Sequence, residues 1–148
     1  MKVLYTAHAT VTGGRDAGHG RTSDGTVDVQ LRVPPELGGD GGGANPEQLF
    51  AIGYAACFEG AIKTVARREK LEADDVSIES SVSLGPGDDR SFTIAVGLDV
   101  TLPQLDEERA AEIVAEAHRV CPYSNATRGN IDVALTANGR RLEATPAA

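Results

Sequence analysis

The sequence contains few cysteines and few aromatic residues, and these shortages exclude whole classes of protein. Only two cysteines, Cys57 and Cys121, occur in 148 residues that include no tryptophan and one methionine. Two thiols do not form the disulfide framework of a small secreted domain. In a reducing compartment such a pair fills the core, contributes to a metal site or performs redox chemistry.

Long apolar runs and basic stripes are also missing. No run of eighteen apolar residues occurs, and Met1-Lys2 leads into strand-like sequence without a signal-peptide core. The net charge is −8, whereas phosphate contacts require concentrated lysine and arginine. We therefore expect a soluble cytoplasmic protein with neither a membrane nor a nucleic acid among its partners.

What is present suits one globular domain over residues 1–148, with 41% hydrophobic and 24% charged residues. Apolar alternation predicts strands over residues 3–11, 27–33, 76–84, 92–102 and 131–135. The strands over residues 76–84 and 92–102 are predicted to form an antiparallel hairpin. Polar, glycine-rich stretches predict loops at 15–23 and 38–43, and residues 143–148 read as a loose tail.

Two segments predict helices. Asn45-Pro46-Glu47 supplies an N-cap, a first-turn proline and an acid for a helix over residues 46–70. Since residues 49–66 are apolar on nearly every face, we expect this helix to be buried all round and partly covered by a partner subunit. A second helix follows Asp106 and ends near residue 119, ahead of Pro122. The order of elements lacks regular βαβ alternation and indicates an α+β fold.

The chemistry of Cys57 depends on a charge from elsewhere. A thiol in the middle of an apolar helix has a raised pKa and is inert, which makes a plain core residue the simpler interpretation. A nucleophilic Cys57 would need a nearby cation, for which Arg15, Arg21, Lys63 and Arg128 are candidates.

The remaining candidate residues also have simpler interpretations. Cys121 suits a buried helix end, and Glu47 suits the positive end of a helix dipole. His8, His19 and His118 have no metal-ligand spacing with either cysteine, so we expect no metal site.

Two long motifs cover residues 45–58 and 120–130, and two shorter segments lie at 13–16 and 37–39. Together these segments resemble the organic hydroperoxide resistance (Ohr) branch of the Ohr/OsmC family. The resemblance extends over essentially the whole chain. It implies an OsmC-like fold, with antiparallel sheets wrapped around long central helices in an intertwined homodimer.

The same resemblance implies a cofactor-free, thiol-dependent peroxidase. Cys57 would attack the peroxide and Cys121 would resolve the resulting sulfenic acid, while Arg15, held by Glu47, would be the cation beside Cys57. The substrates would be alkyl or fatty-acid hydroperoxides. The reductant would be dihydrolipoamide or a lipoylated protein.

Three alternatives stay open. Arg21 could replace Arg15, because the loop that carries both is one residue longer than the family pattern. The protein could be an OsmC-type peroxidase of broader substrate range. It could also be a non-catalytic dimer that binds a hydrophobic ligand, with both cysteines in its core.

Overall fold

Helices and strands alternate irregularly along the chain, as an α+β fold requires. The computed structural model describes residues 1–142. These form two compact units, Met1–Leu49 and the region from Phe50 onward, here the N-terminal and C-terminal units. The elements are β1 (Ala9–Thr12), α1 (Gly14–Ala17), β2 (Gly18–Thr22), β3 (Asp28–Arg32), α2 (Pro46–Arg68), β4 (Ser77–Pro86), β5 (Phe92–Thr101), α3 (Glu107–Val120), α4 (Pro122–Thr127), β6 (Val133–Ala137) and β7 (Arg140–Arg141).

The N-terminal unit contains an antiparallel sheet in the order β1-β2-β3. The loop predicted over residues 15–23 is wrong for most of its length, because α1 and the central strand β2 occupy it. Two of the five residues of β2 are glycines, so the strand has no apolar alternation. Its neighbours on both sides supply the hydrogen bonds that the side-chain pattern does not reveal.

The helix α2 begins with a reciprocal capping arrangement. The Gln48 backbone N–H donates to Asn45 Oδ1 at 2.9 Å, and Gln48 Oε1 accepts from the Asn45 backbone N–H at 3.1 Å. This pair satisfies two amides that a helix start leaves free, and it confirms the predicted N-cap. The helix ends at Arg68, close to the predicted end.

Within the single chain, burial of α2 is confined to one face. The buried residues form one stripe: Tyr54, Phe58, Ala61, Ile62, Val65 and Ala66. Ile52, on another face, is 69% exposed. By length and composition α2 could cross a membrane, a test that the core helices of soluble proteins also pass. Burial of the remaining faces, with a partner subunit covering part of the helix, stays a prediction.

The C-terminal unit contains a sheet in the order β4-β5-β6-β7. The hairpin of β4 and β5 is antiparallel, as predicted, whereas β6 pairs with β5 in parallel. The parallel pairing arises because α3 and α4 return the chain to the starting end of the sheet before β6. One pairing of this sheet therefore departs from the antiparallel arrangement that the resemblance implied.

A short helix, α4, follows α3, whereas the sequence predicted only that α3 ends before Pro122. Asp106 caps α3 as predicted, with Oδ1 accepting from the Arg109 backbone N–H at 2.8 Å. Beyond Cys121, α4 starts at Pro122, because a proline that ends one helix also suits the first position of the next. The loop predicted at 38–43 contains no helix or strand. The predicted tail, 143–148, lies outside the described residues.

Candidate functional site

A tight turn presents Arg15 in the N-terminal unit. Gly13 and Gly14 adopt left-handed backbone angles, with φ of 73° and 61°, at the start of α1. A Cβ on Gly18 would lie 1.9 Å from the carbonyl oxygen of Gly14, so no larger residue fits there. These glycines fold the chain back within four residues and hold Arg15 at the turn.

Arg15 contacts the start of α2. Its Nη2 donates to Glu47 Oε1 at 2.7 Å, in a pair whose side chains are 38% and 16% exposed. Glu47 lies in the first helical turn, where the dipole also favours a carboxylate. A charge-assisted bond with a partly buried acceptor is stronger than a neutral one. The N-terminal unit thus brings together two of the four predicted site residues.

The other candidate cations have different partners. Arg21 Nε lies 3.4 Å from Asp28 Oδ2, on an exposed part of the N-terminal sheet. In the C-terminal unit, Lys63 Nζ is 2.5 Å from Glu59 Oε1, one helical turn away. Arg128 donates to the Asn125 side chain and to the backbone carbonyl of His118. The contact with Glu47 distinguishes Arg15 from Arg21.

The two thiols lie against each other in the C-terminal unit. Cys57 Sγ and Cys121 Sγ are 3.6 Å apart, although the residues are separated by 64 positions. Both are free thiols; Cys57 is half-buried and Cys121 fully buried. A disulfide bond measures about 2.0 Å, so a small movement would join the sulfur atoms.

Close packing of α4 on α2 accounts for this proximity. A Cβ on Gly53, one turn before Cys57, would lie 3.1 Å from the Tyr123 hydroxyl oxygen. The Tyr123 ring also lies 5.5 Å from that of Tyr54, measured between centroids. The absence of a side chain on Gly53 lets Tyr123 approach α2, and this carries the nearby Cys121 towards Cys57.

The surroundings of Cys57 oppose ionisation. Burial raises the pKa of the Cys57 thiol, hydrogen bonding from the Tyr123 backbone acts in the opposite direction, and the Cys121 thiol raises the pKa further. In the C-terminal unit alone the sulfur is therefore a weak nucleophile. A nucleophilic Cys57 therefore needs a nearby cation to lower its pKa, as the sequence indicated.

A cleft of about 1180 Å³ opens elsewhere in the C-terminal unit. Its lining includes Phe50, Phe92 and Tyr123 along with polar residues such as Asn130. Neither cysteine is among the lining residues. A reaction at either thiol would therefore take place outside this cleft.

Comparison with known proteins relates the chain to one family. The family model described as "OsmC-like protein" matches residues 39–136. The chain is 58% identical over 139 residues to the organic hydroperoxide resistance protein of Xanthomonas axonopodis pv. citri, covering 91% of this chain and 95% of that protein.

Solved structures agree with this relationship. The crystal structure of an organic hydroperoxide resistance protein from Legionella pneumophila has a TM-score of 0.87 and 51% identity, covering 91% of this chain and 98% of that one. The structure of OhrB from Bacillus subtilis has a TM-score of 0.83 and 48% identity, with 90% and 98% covered. The fold described above is thus the OsmC-like fold.

Proposed function

The chain belongs to the OsmC-like protein family, and from this premise we propose that it is a thiol-dependent peroxidase that reduces organic hydroperoxides and protects against oxidative stress. The observation that carries the proposal is the 3.6 Å separation of Cys57 Sγ and Cys121 Sγ. The named function of the relatives from Xanthomonas and Legionella, which is organic hydroperoxide resistance, supports it.

The first step is attack of the Cys57 thiolate on the outer oxygen of the hydroperoxide. The O–O bond breaks, the oxygen remains on sulfur as a sulfenic acid, and the inner oxygen takes up a proton and leaves as an alcohol. Sulfur is oxidised by two electrons while the peroxide is reduced by two. The apolar residues of α2 before Cys57 are suited to an alkyl or fatty-acid chain.

The second step is resolution by Cys121. Its sulfur attacks the Cys57 sulfenic acid, forms the Cys57–Cys121 disulfide and releases water. The proximity of the thiols favours this condensation over further oxidation of Cys57 to the irreversible sulfinic acid. A dithiol must then reduce the disulfide, and we propose dihydrolipoamide or a lipoylated protein as this reductant.

Arg15 is proposed as the cation that stabilises the Cys57 thiolate. A guanidinium stays charged when partly buried and can bond a carboxylate at the same time, so Glu47 would orient it. The contact between Arg15 and Glu47 supports this choice over Arg21, whose neighbour is Asp28.

We also propose that the protein acts as a homodimer in the cytoplasm. Large apolar side chains are exposed in the single chain, among them Leu4 and Val11 in the N-terminal unit and Ile52 on α2. Burying such side chains against a second copy would be favourable by about 25 cal/mol per Å².

A non-catalytic dimer that binds a hydrophobic ligand is the second candidate. The specific observation in its favour is that burial raises the pKa of Cys57. Thiol titration of the intact protein separates the two functions. A Cys57 pKa at or above the free value of about 8.5 favours the binder, and a strongly lowered one the enzyme.

The direct test is consumption of cumene hydroperoxide with dihydrolipoamide as reductant. We expect the wild-type protein to turn over and Cys57→Ser to be inactive. In the absence of a reductant, Cys121→Ser should consume about one equivalent and accumulate the Cys57 sulfenic acid, because no second protein thiol resolves it, whereas the wild-type protein forms the disulfide. Full activity in Cys57→Ser would contradict the proposed function.

A further inference from the structure

A series of buried polar side chains connects three helices next to the thiol pair. His118 Nδ1 lies 2.9 Å from Ser124 Oγ, which lies 3.0 Å from the Tyr54 hydroxyl, which in turn lies 3.2 Å from Thr127 Oγ1. Each of the four residues is at most 7% exposed. We call His118, Ser124, Tyr54 and Thr127 the polar chain. No sequence motif assigns a role to any of them.

The direction of these hydrogen bonds follows from counting protons. Thr127 Oγ1 donates to the backbone carbonyl of Tyr123 at 2.9 Å, and a carbonyl can only accept. The Thr127 hydroxyl has a single proton, so it must accept from Tyr54. By the same reasoning Tyr54 accepts from Ser124, and Ser124 accepts from the His118 Nδ1–H. Every hydroxyl of the polar chain then donates once to another member or to the carbonyl.

Members of the polar chain flank Cys121 in the sequence and connect its segment to α2, the helix that carries Cys57. His118 lies three residues before Cys121, on α3, and Ser124 three residues after it, on α4. Tyr54 lies three residues before Cys57 on α2. Burial raises the pKa of the Tyr54 hydroxyl, and its hydrogen bonds with Ser124 and Thr127 act in the opposite direction.

A second contact holds the same segment. Arg128, directly after α4, donates to the backbone carbonyl of His118 near the end of α3. The segment between the two helices, which contains Cys121, is thus held at both ends. The backbone of Cys121 itself is extended, with φ of −65° and ψ of 125°. Its N–H donates to the Ala117 carbonyl at 2.9 Å and its carbonyl accepts from the Asn125 N–H at 2.9 Å. The backbone of Cys121 is therefore joined to both helices, and the side-chain contacts of its neighbours fix how those helices lie against α2.

We propose that Tyr54, Ser124 and His118 are positioning residues for Cys121, which hold its sulfur beside Cys57 and so favour the disulfide over the separated thiols. The use of this arrangement in peroxide reduction rests on the proposed function. The pairing of the thiols does not, because any disulfide oxidant can report it. With oxidised glutathione, the two thiols are oxidised to one intramolecular disulfide and two glutathione thiols are released.

The test is the reduction potential of the Cys57–Cys121 pair, measured on the full-length protein in glutathione buffers. We expect Tyr54→Phe to lower the equilibrium constant for disulfide formation about tenfold, which makes the potential about 30 mV more positive. Ser124→Ala should shift it in the same direction, because it interrupts the polar chain at its centre.

Two variants serve as matched controls. Tyr5→Phe removes a tyrosine hydroxyl at a position that is 81% exposed. Ser80→Ala removes a buried hydroxyl for which the described part of the chain provides no hydrogen-bond partner. We expect both controls to keep the wild-type potential within a factor of two in the equilibrium constant.

Thermal unfolding of the reduced proteins separates positioning from plain stability. If Tyr54→Phe and Ser124→Ala unfold at lower temperature and yet keep the wild-type potential, the polar chain is only structural and the proposal is overturned. Should Ser124→Ala fail to fold, Tyr54→Phe and His118→Phe, which removes the donor to Ser124, decide the question by the same measurement. Failure of the proposed function looks different, since the wild-type protein would then form the disulfide with glutathione but not consume hydroperoxide.

Discussion

The two units of the chain hold their candidate site residues in opposite ways. In the N-terminal unit an ion pair, Arg15 with Glu47, stands on a four-residue helical turn and a helix start, and Arg15 is 38% exposed. In the C-terminal unit a neutral thiol pair is set into packed helices, and Cys121 is fully buried. The N-terminal unit thus contributes a charged pair and no cysteine, whereas the C-terminal unit contributes two adjacent thiols.

The proposed reaction draws on both kinds of contribution. Two thiols whose sulfur atoms lie 3.6 Å apart can form a disulfide, but burial raises the pKa of Cys57, the thiol that attacks in the proposed reaction. A guanidinium bound to a carboxylate can stabilise a thiolate but contributes no redox chemistry.

The largest effect is expected from Arg15→Ala. If Arg15 stabilises the Cys57 thiolate as proposed, its removal leaves the burial of that thiolate without a compensating charge, and the rate of Cys57 oxidation by cumene hydroperoxide should fall on the order of 100-fold. Stopped-flow measurement with one equivalent of peroxide isolates this step. Arg21→Ala is the matched control and should stay within about twofold. The opposite ranking would identify Arg21 as the activating cation.

A smaller effect is expected from Glu47→Gln. The amide can still accept a hydrogen bond from Arg15 but no longer carries charge, so we expect about a tenfold loss of the same rate. Glu59→Gln alters an acid on the same helix that pairs with Lys63, and it should leave the rate unchanged. Equal losses in both variants would mean that Glu47 acts through the general charge of the helix rather than through Arg15.

The smallest effect concerns the pH dependence of stability. Burial, followed by the charge of Arg128, lowers the pKa of His118 below its ordinary value of 6.5. The unfolded chain therefore takes up a proton before the folded protein does. The free energy of unfolding should then decrease as the pH falls below about 6.5, by at most about 1.4 kcal/mol per pH unit.

Urea denaturation of His118→Asn between pH 7 and pH 5 checks this dependence. Asparagine keeps an N–H donor for Ser124 but does not titrate, so the decrease should be shallower than in the wild-type protein. His8→Asn changes an exposed histidine and is the control. A wild-type slope in His118→Asn would show that other groups cause the pH dependence.

The elements of the C-terminal unit were the most predictable from sequence. The strands β4 and β5 follow apolar alternation over ten residues each, and Asp106 begins α3 as its side chain suggests. The strand β2 was missed because glycine and polar residues form it, and only its neighbours make it a strand. The helix α4 was missed because Pro122 fits both a helix end and a helix start.

The candidate site was less predictable. A cation near Cys57 could be required on physical grounds, but the choice of Arg15 and Glu47 came from the resemblance to a family. The polar chain could not be found by pattern, because its members come together only when three helices pack. One signal was nevertheless present, since Tyr54 introduces a hydroxyl into the otherwise apolar stretch 49–58 of α2 and a buried hydroxyl needs a partner.

The wide separation of the two cysteines along the chain has a consequence for the life of the protein. A disulfide between positions 57 and 121 would close a loop of more than sixty residues. The lost entropy of the unfolded chain would raise the free energy of unfolding by about 4 kcal/mol. The disulfide form would therefore be more stable against unfolding than the dithiol form. A cell short of reductant would accumulate the disulfide form, which would resist proteolysis and thermal unfolding until a dithiol reduces it.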